Sequence, residues 1–417
     1  MNGDANFGII ADFLVLSPIL LALRAIYPRA VTIKVSFLFV GLFAIYSVAP
    51  RYLLFYLTYW LIIFGLQWGM RFAANASAFS VLSKIGTAFL IALALSPMLI
   101  WKIWPEPFVQ WSTATFAKLL WLHAPSFAPL DAIAPRIAPI GLSFVVFRAL
   151  DLLIKIRLDM LKPLSPLTLG YYAFFAPVLA VGPVIEYEEI ALKDKISRTP
   201  ASGDIAVGGF RVALGAVKVM VVAYGLTYLT NLLWQGGEAS WLAGWGALFL
   251  YGLYFYVNFS GYSDLAIGVS RLHGLRLKEN FNNPFMKTSP QAFWASWHMS
   301  LTRWCQRYVF IPLGGMRASR QYIATFGTIM IIALWHGISW NMTIFGLYHA
   351  FFLLAHRYIE SKRIKKKQRL SNTRLTRLVK SIGVFVYVAF SIPLFSLPID
   401  SIISFYLRLL LGGGEVS

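Results

Sequence analysis

Apolar runs of about 20 residues, closed off by Lys or Arg, recur along nearly the whole chain, and this repetition limits the fold more than any other feature. A helix needs roughly 17–25 apolar residues to cross the hydrocarbon of a bilayer. Runs of that length lie near 8–26, 31–49, 52–70, 80–101, 137–156, 166–185, 205–233, 241–270, 321–338, 340–357 and 381–398. A backbone in lipid must satisfy its own hydrogen bonds, so such runs are helices. The pattern predicts an all-α, polytopic integral membrane protein with about eleven transmembrane helices, built as a single integral-membrane domain over 1–417. A shorter stretch, 108–122, follows Pro105, Glu106 and Pro107 and carries Trp111, Lys118 and Trp121. It reads as interfacial.

Composition narrows the function classes. Of 417 residues 58% are apolar and 13% charged, about half the charged share of soluble domains. The net charge of +20 does not imply nucleic acid, because the bases sit between apolar runs, where they orient spans and meet anionic headgroups. The opening MNGDANFGII has no basic segment before its apolar run, so that run is expected to be a retained span. One cysteine, Cys305, allows no internal disulfide and is expected to be a small buried side chain.

Basic residues also set the threading. The loop from Arg357 to Lys380 holds Lys362, Arg363, Lys365, Lys366, Lys367, Arg369, Arg374 and Arg377 against Glu360 alone, and is expected on the cytoplasmic side. It is a solvated basic linker or a surface for an acidic donor protein or anionic lipid. From that anchor the loop 234–241 is external and 271–303 internal. The run 321–338 then leads outward, with His336 towards its outer end and His298 on the inner side. The first five spans alternate too weakly to orient.

Polar residues interrupt this apolar chain in two places. LWHGISWN, Leu334 to Asn341, sets a histidine and a helix break at the end of a span, where unmet polar groups cost several kcal/mol each. Either function offsets that cost, or a helix hairpin turns on Gly337, Ser339 and Asn341. Earlier, Asn258, Ser260, Ser263 and Asp264 share one span, and an intramembrane carboxylate is either functional or paired. Phe281 to Ser289 is too rich in Asn and Pro to be a simple helix. Beyond it Trp294, Trp297 and Trp304 surround His298, as in an interfacial belt or the wall of an acyl-chain or cofactor tunnel.

The runs NFSGYSDLAIG, ENFNNPF, FWASWHMSLTRWCQRYVFIPLGG and LWHGISWNMTIFGLYHAF, with GLSFVVFRALD and FFAPVLAVGPVIEYEEI before them, resemble the membrane-bound O-acyltransferase family in its bacterial cell-envelope branch. The similarity covers roughly 141–352. It implies spanning, re-entrant and interfacial helices around a central tunnel, which joins a cytoplasmic donor site to an external acceptor site. His336 matches the family's near-invariant histidine and His298 its second; Asn258, Asp264, Trp294, Trp297, Trp335 and Asn341 are the expected substrate or tunnel-lining residues.

The resemblance further implies an acyl thioester donor, on an acyl-carrier protein or coenzyme A, with no tightly bound cofactor and no metal. Expected partners are that donor on the cytoplasmic side, an acyltransferase-type protein outside, membrane lipid and an envelope polymer as acceptor. The expected location is the bacterial cytoplasmic (inner) membrane. Ala295 and Ser296 stand where alginate-type members carry two arginines, and Cys305, Gln306 and Arg307 replace an Arg–Asp pattern. FVVFRA leans to D-alanyl transfer and IPLGG to acetyl transfer, so both acyl groups stay open.

The chemistry suits a histidine. A hydroxyl attacking a thioester must lose its proton, and imidazole titrates near pH 6.5, close to working conditions. His336 is the expected base, and His298 the group that orients a substrate or steadies the oxyanion. The rival from another class is a proton-coupled transporter or flippase using Asp264 and the histidines as a relay. Other layouts have less support: there is no HExxH, and Ser300 and Ser339 lack a GxSxG elbow. His349 and His356 share a helix face as packing residues, while His123 and His273 read as interfacial or loop residues.

Overall fold

The computed structural model describes residues 15–23, 26–27, 29–48, 52–75, 81–105, 141–179, 181–191, 200–234, 241–366, 373–397 and 399–411. Within them the chain is helical, with no strand. Among the described residues six helices are long and apolar enough to cross a bilayer: Ala30–Ser47, Leu53–Asn75, Ser83–Ile103, Ser202–Leu233, Trp241–Leu272 and Arg374–Ser396. Gln321–His336 is apolar but shorter. Large apolar side chains such as Phe39, Phe72, Phe89 and Phe210 face outward on these helices, as lipid-facing surfaces require. The interfacial stretch 108–122 and His123 lie outside the described residues.

The chain forms two compact units, 1–213 with 264–278, and 214–263 with 279–417. In the first, Leu53–Asn75, Val81–Ile103 and Leu142–Arg157 pack on one another, and Ala30–Val48 packs on Pro166–Ala173. The run 166–185 is not the span its hydropathy predicts. A helix forms only over Pro166–Ala173, a 3-10 turn follows at Ala176–Val178, and buried irregular backbone leads to Tyr187–Ile190. Gly41 lets this break come close, because a Cβ there would overlap the Phe174 carbonyl.

Charged residues on the Leu142–Arg157 helix supply what the broken backbone lacks. Arg148, 1% exposed, donates to the carbonyls of Tyr172 (3.3 Å), Ala173 (2.6 Å) and Val178 (2.5 Å). Asp151 accepts from the Tyr172 hydroxyl at 2.9 Å and the Tyr187 amide at 3.2 Å. Lys155 neutralises Asp151 at 2.9 Å and reaches Glu188 at 2.5 Å. Buried charges are costly unless paired or hydrogen-bonded, and on this helix Asp151 and Lys155 pair with each other while Arg148 spends its terminal nitrogens on carbonyls of the broken segment.

The second unit holds the other interrupted region. Gln321–His336 and Trp340–Lys365 form an antiparallel hairpin whose turn uses Gly337 and Ser339 as expected, whereas Asn341 lies within the second helix. Gly337 leaves the first helix in an extended conformation, and Ser339 caps the second by accepting from the Met342 amide at 3.3 Å. Gly346 allows the two helices to touch, since a Cβ there would come within 2.7 Å of Met330 Sδ. Arg374–Ala389 and Pro393–Ser396 pack against this pair through Phe345, Tyr348, Tyr387 and Leu394.

Candidate active site

The second unit collects the motif histidines. His298 lies at the start of the short Met299–Cys305 helix with φ 43° and ψ 51°, a left-handed conformation that costs a non-glycine residue about 1–3 kcal/mol. What offsets it is a set of bonds to Asn280, eighteen residues earlier. The Met299 amide donates to the Asn280 carbonyl at 2.8 Å, and the Ser300 amide and hydroxyl donate to Asn280 Oδ1 at 3.2 and 2.7 Å. His298 Nδ1 sits 3.1 Å from the same oxygen, and Asn280 Nδ2 donates to Ser263 Oγ at 3.0 Å. The loop 281–289 is irregular, as its Asn and Pro content predicts, with Asn283 also left-handed and a 3-10 turn at Pro284–Met286.

Aromatic rings enclose His298. Phe259 meets it edge-on at 4.8 Å between centroids and Trp335 lies at 6.4 Å, while Phe281 and Trp297, perpendicular to each other at 5.2 Å, pack on Phe259 at 5.1 and 6.4 Å. His298 is 4% exposed, and its Nε2 is buried with no hydrogen-bond partner. Burial first, then His336 and Arg303, lowers its pKa, so the imidazole is neutral at ordinary pH.

Trp335 links the two histidines. Its indole lies 6.4 Å from the His298 ring and 4.4 Å from the His336 ring, centroid to centroid. Charge threading puts the histidines towards opposite faces; in the folded unit a single indole spans the gap. The two rings nonetheless differ in exposure, for His336 is the last residue of its helix, open to solvent on one side and set against Phe395 at 5.0 Å.

The other expected site residues divide. Trp297 belongs to the ring cage, and half-buried Asn258 precedes Phe259 on the Trp241–Leu272 helix. Trp294 packs on Phe345 at 6.5 Å and on His349 at 5.1 Å. Asn341 is committed elsewhere: its Nδ2 donates to the Leu397 carbonyl at 2.8 Å, which pins the hairpin to the following loop. Asp264 is an ion pair within the first unit, with Arg211 Nη2 at 2.7 Å.

Among the remaining histidines, His349 is a packing residue as its helix position suggests. Tyr387 Oη lies at its Nδ1 and Ser391 Oγ at its Nε2, the latter at 3.0 Å. His273 occupies a turn, but it is fully buried rather than interfacial, with Ser17 Oγ 2.8 Å from Nε2 and Phe37 across its ring. Cys305 is buried, as expected of a small apolar side chain. Ser300 gives its hydroxyl proton to Asn280, so it is not poised as a nucleophile. Sequence reasoning passed over Asn280 and Phe395; ENFNNPF held the first without marking which of its asparagines turns inward.

Comparison with known proteins identifies the family. The family model described as MBOAT, membrane-bound O-acyltransferase family, matches residues 157–395. A teichoic acid D-alanyltransferase of Bacillus subtilis is 28% identical over 270 residues, 62% of this chain and 68% of that protein. A probable alginate O-acetylase of Pseudomonas aeruginosa is 34% identical over 52% of this chain and 42% of its own length. A peptidoglycan O-acetyltransferase of Helicobacter pylori is 32% identical over 45% and 36% respectively. The chain thus spans less than half of these two acetylating relatives.

Proposed function

Because the chain belongs to the membrane-bound O-acyltransferase family, we propose that it moves a small acyl group, acetyl or D-alanyl, from a thioester to hydroxyl groups of an extracytoplasmic envelope polymer. The observation that carries this reading is the pairing of buried, neutral His298 with exposed His336 across the Trp335 ring, inside the segment that matches the family. The named relatives act on teichoic acid, alginate and peptidoglycan, which motivates the choice of acceptor.

His336 is the base in this proposal. The acceptor hydroxyl attacks the thioester carbonyl carbon as its proton passes to the His336 imidazole. The carbon–sulfur bond then breaks, and the departing thiolate takes that proton as a thiol. His336 is the last residue of the Gln321–His336 helix. Its exposed ring gives the hydroxyl access, which buried His298 does not offer as readily.

The donor arrives on the cytoplasmic side of the bacterial cytoplasmic membrane, on an acyl-carrier protein or coenzyme A. Lys362, Arg363, Lys365 and Lys366 at the end of the Trp340–Lys365 helix, with Arg374, Arg377 and Lys380 after the loop, offer an acidic carrier a complementary surface. On the acceptor side an extracytoplasmic acyltransferase-type protein is the expected partner, beside the polymer whose hydroxyl attacks. Purified protein in liposomes with labelled acyl thioester tests the reading. Covalent transfer to an added hydroxyl acceptor is expected; gradient-driven movement of label without transfer would replace it with the transporter reading.

A further inference from the structure

Asn280 Oδ1 receives two donors whose direction is fixed by chemistry. The backbone amide of Ser300 can only donate, and it lies 3.2 Å from this atom; the Ser300 hydroxyl is nearer still at 2.7 Å. The amide orientation of Asn280 is therefore set, because the reversed group would point N–H against N–H and leave a buried amide unmet. Its Nδ2 is spent on Ser263 Oγ at 3.0 Å, consistent with that orientation.

His298 Nδ1, 3.1 Å from the same oxygen, must then carry the ring proton, since a lone pair there would face the oxygen's lone pair. The alternative donor to Nδ1, the Ser300 hydroxyl at 3.4 Å, is already engaged over its shorter contact. A neutral imidazole holds one proton, which leaves Nε2 as a lone pair. That nitrogen is buried and unpartnered, a destabilising state for a polar atom in a folded protein.

We propose that Asn280 is a positioning residue of the active site: it locks His298 with its proton on Nδ1, so that Nε2 receives a hydrogen bond from an O–H or N–H of the bound substrate and gives none to an oxyanion. This rests on the acyl-transfer reading and narrows it. Of the two roles the sequence leaves to His298, substrate orientation is retained and oxyanion stabilisation removed, because the latter needs a proton on the nitrogen that faces substrate. The unmet acceptor is then satisfied only when substrate is bound.

Two measurements on the full-length protein in detergent test it. In 15N spectra of histidine-labelled protein, with His298 assigned by its loss in His298→Gln, Nε2 should resonate as an unprotonated nitrogen in the wild type and in Asn280→Asp, whose carboxylate still accepts from Nδ1. In Asn280→Leu the two tautomers should average, and kcat for acyl transfer should fall roughly 10–100-fold, as for loss of other groups that orient a histidine. Asn280→Asp should recover most of that loss. A proton on Nε2 in the wild type, or an Asn280→Leu protein with wild-type kcat, would overturn the proposal. If Asn280→Leu does not fold, the wild-type spectrum decides. Full activity of His336→Ala would instead remove the acyl-transfer reading and leave the tautomer result standing.

Discussion

The Trp335 indole lies 4.4 Å from the His336 imidazole, centroid to centroid, and is the ring through which that histidine meets the surroundings of His298. A side chain in this position lies against both imidazoles. Trp335→Phe keeps a ring there and should retain activity within about 10-fold. Trp335→Ala should lower kcat by roughly 100-fold, since misplacement of about 1 Å costs on that order. Steady-state acyl transfer on the two purified variants, at matched thermal stability, checks the difference.

The Asp264–Arg211 pair makes a separate prediction. Asp264→Ala leaves a guanidinium without its carboxylate inside the first unit. The loss should be about 2–3 kcal/mol, below the ~3–5 kcal/mol of a wholly buried pair because Arg211 is partly exposed. Adding Arg211→Met should restore much of the stability. Thermal unfolding followed by size-exclusion chromatography checks both. A relay role would instead leave the single variant stable and abolish gradient-driven transport.

His349 and His336 should respond in opposite ways. Both ring nitrogens of His349 are engaged, by Tyr387 and Ser391, and Trp294 and Phe345 cover its faces. His349→Ala should destabilise the protein by about 2–4 kcal/mol through a cavity and an unmet hydroxyl, while activity per folded molecule stays within a few-fold. Unfolding measured alongside kcat separates the two effects.

Much of this arrangement was legible in the sequence, and the parts that were not share a cause. LWHGISWN marked the hairpin correctly down to its Gly337 break and Ser339 cap, because turn and cap residues act locally. Hydropathy failed at 166–185, where the residues are apolar but the backbone is irregular. The compensating groups, Arg148, Asp151 and Lys155, lie on another helix and look from sequence like charges misplaced in a span. The same holds at the site. His298 stood out among its tryptophans, whereas Asn280 gains its meaning only through contacts eighteen residues away. Asp264 stood out for its charge and proved to be paired.

The basic surface carries a prediction about the donor. Lys362→Glu, Lys365→Glu and Lys366→Glu together should raise KM for an acidic carrier-bound thioester about 10-fold, with kcat unchanged. The effect should shrink as salt rises, because exposed charges are screened over about 8–10 Å at 0.1–0.15 M salt. Initial rates at two salt concentrations check it.

The central claim is that His336 takes the proton of the attacking hydroxyl. Its most direct measurement is acylation of the cell's envelope polymer by His336→Ala, in cells whose own copy is deleted and whose membranes hold the variant at wild-type level. Positioned proton transfer contributes about 10²–10⁴ in rate, so acylation should fall to background. Acylation at the wild-type level would contradict the account.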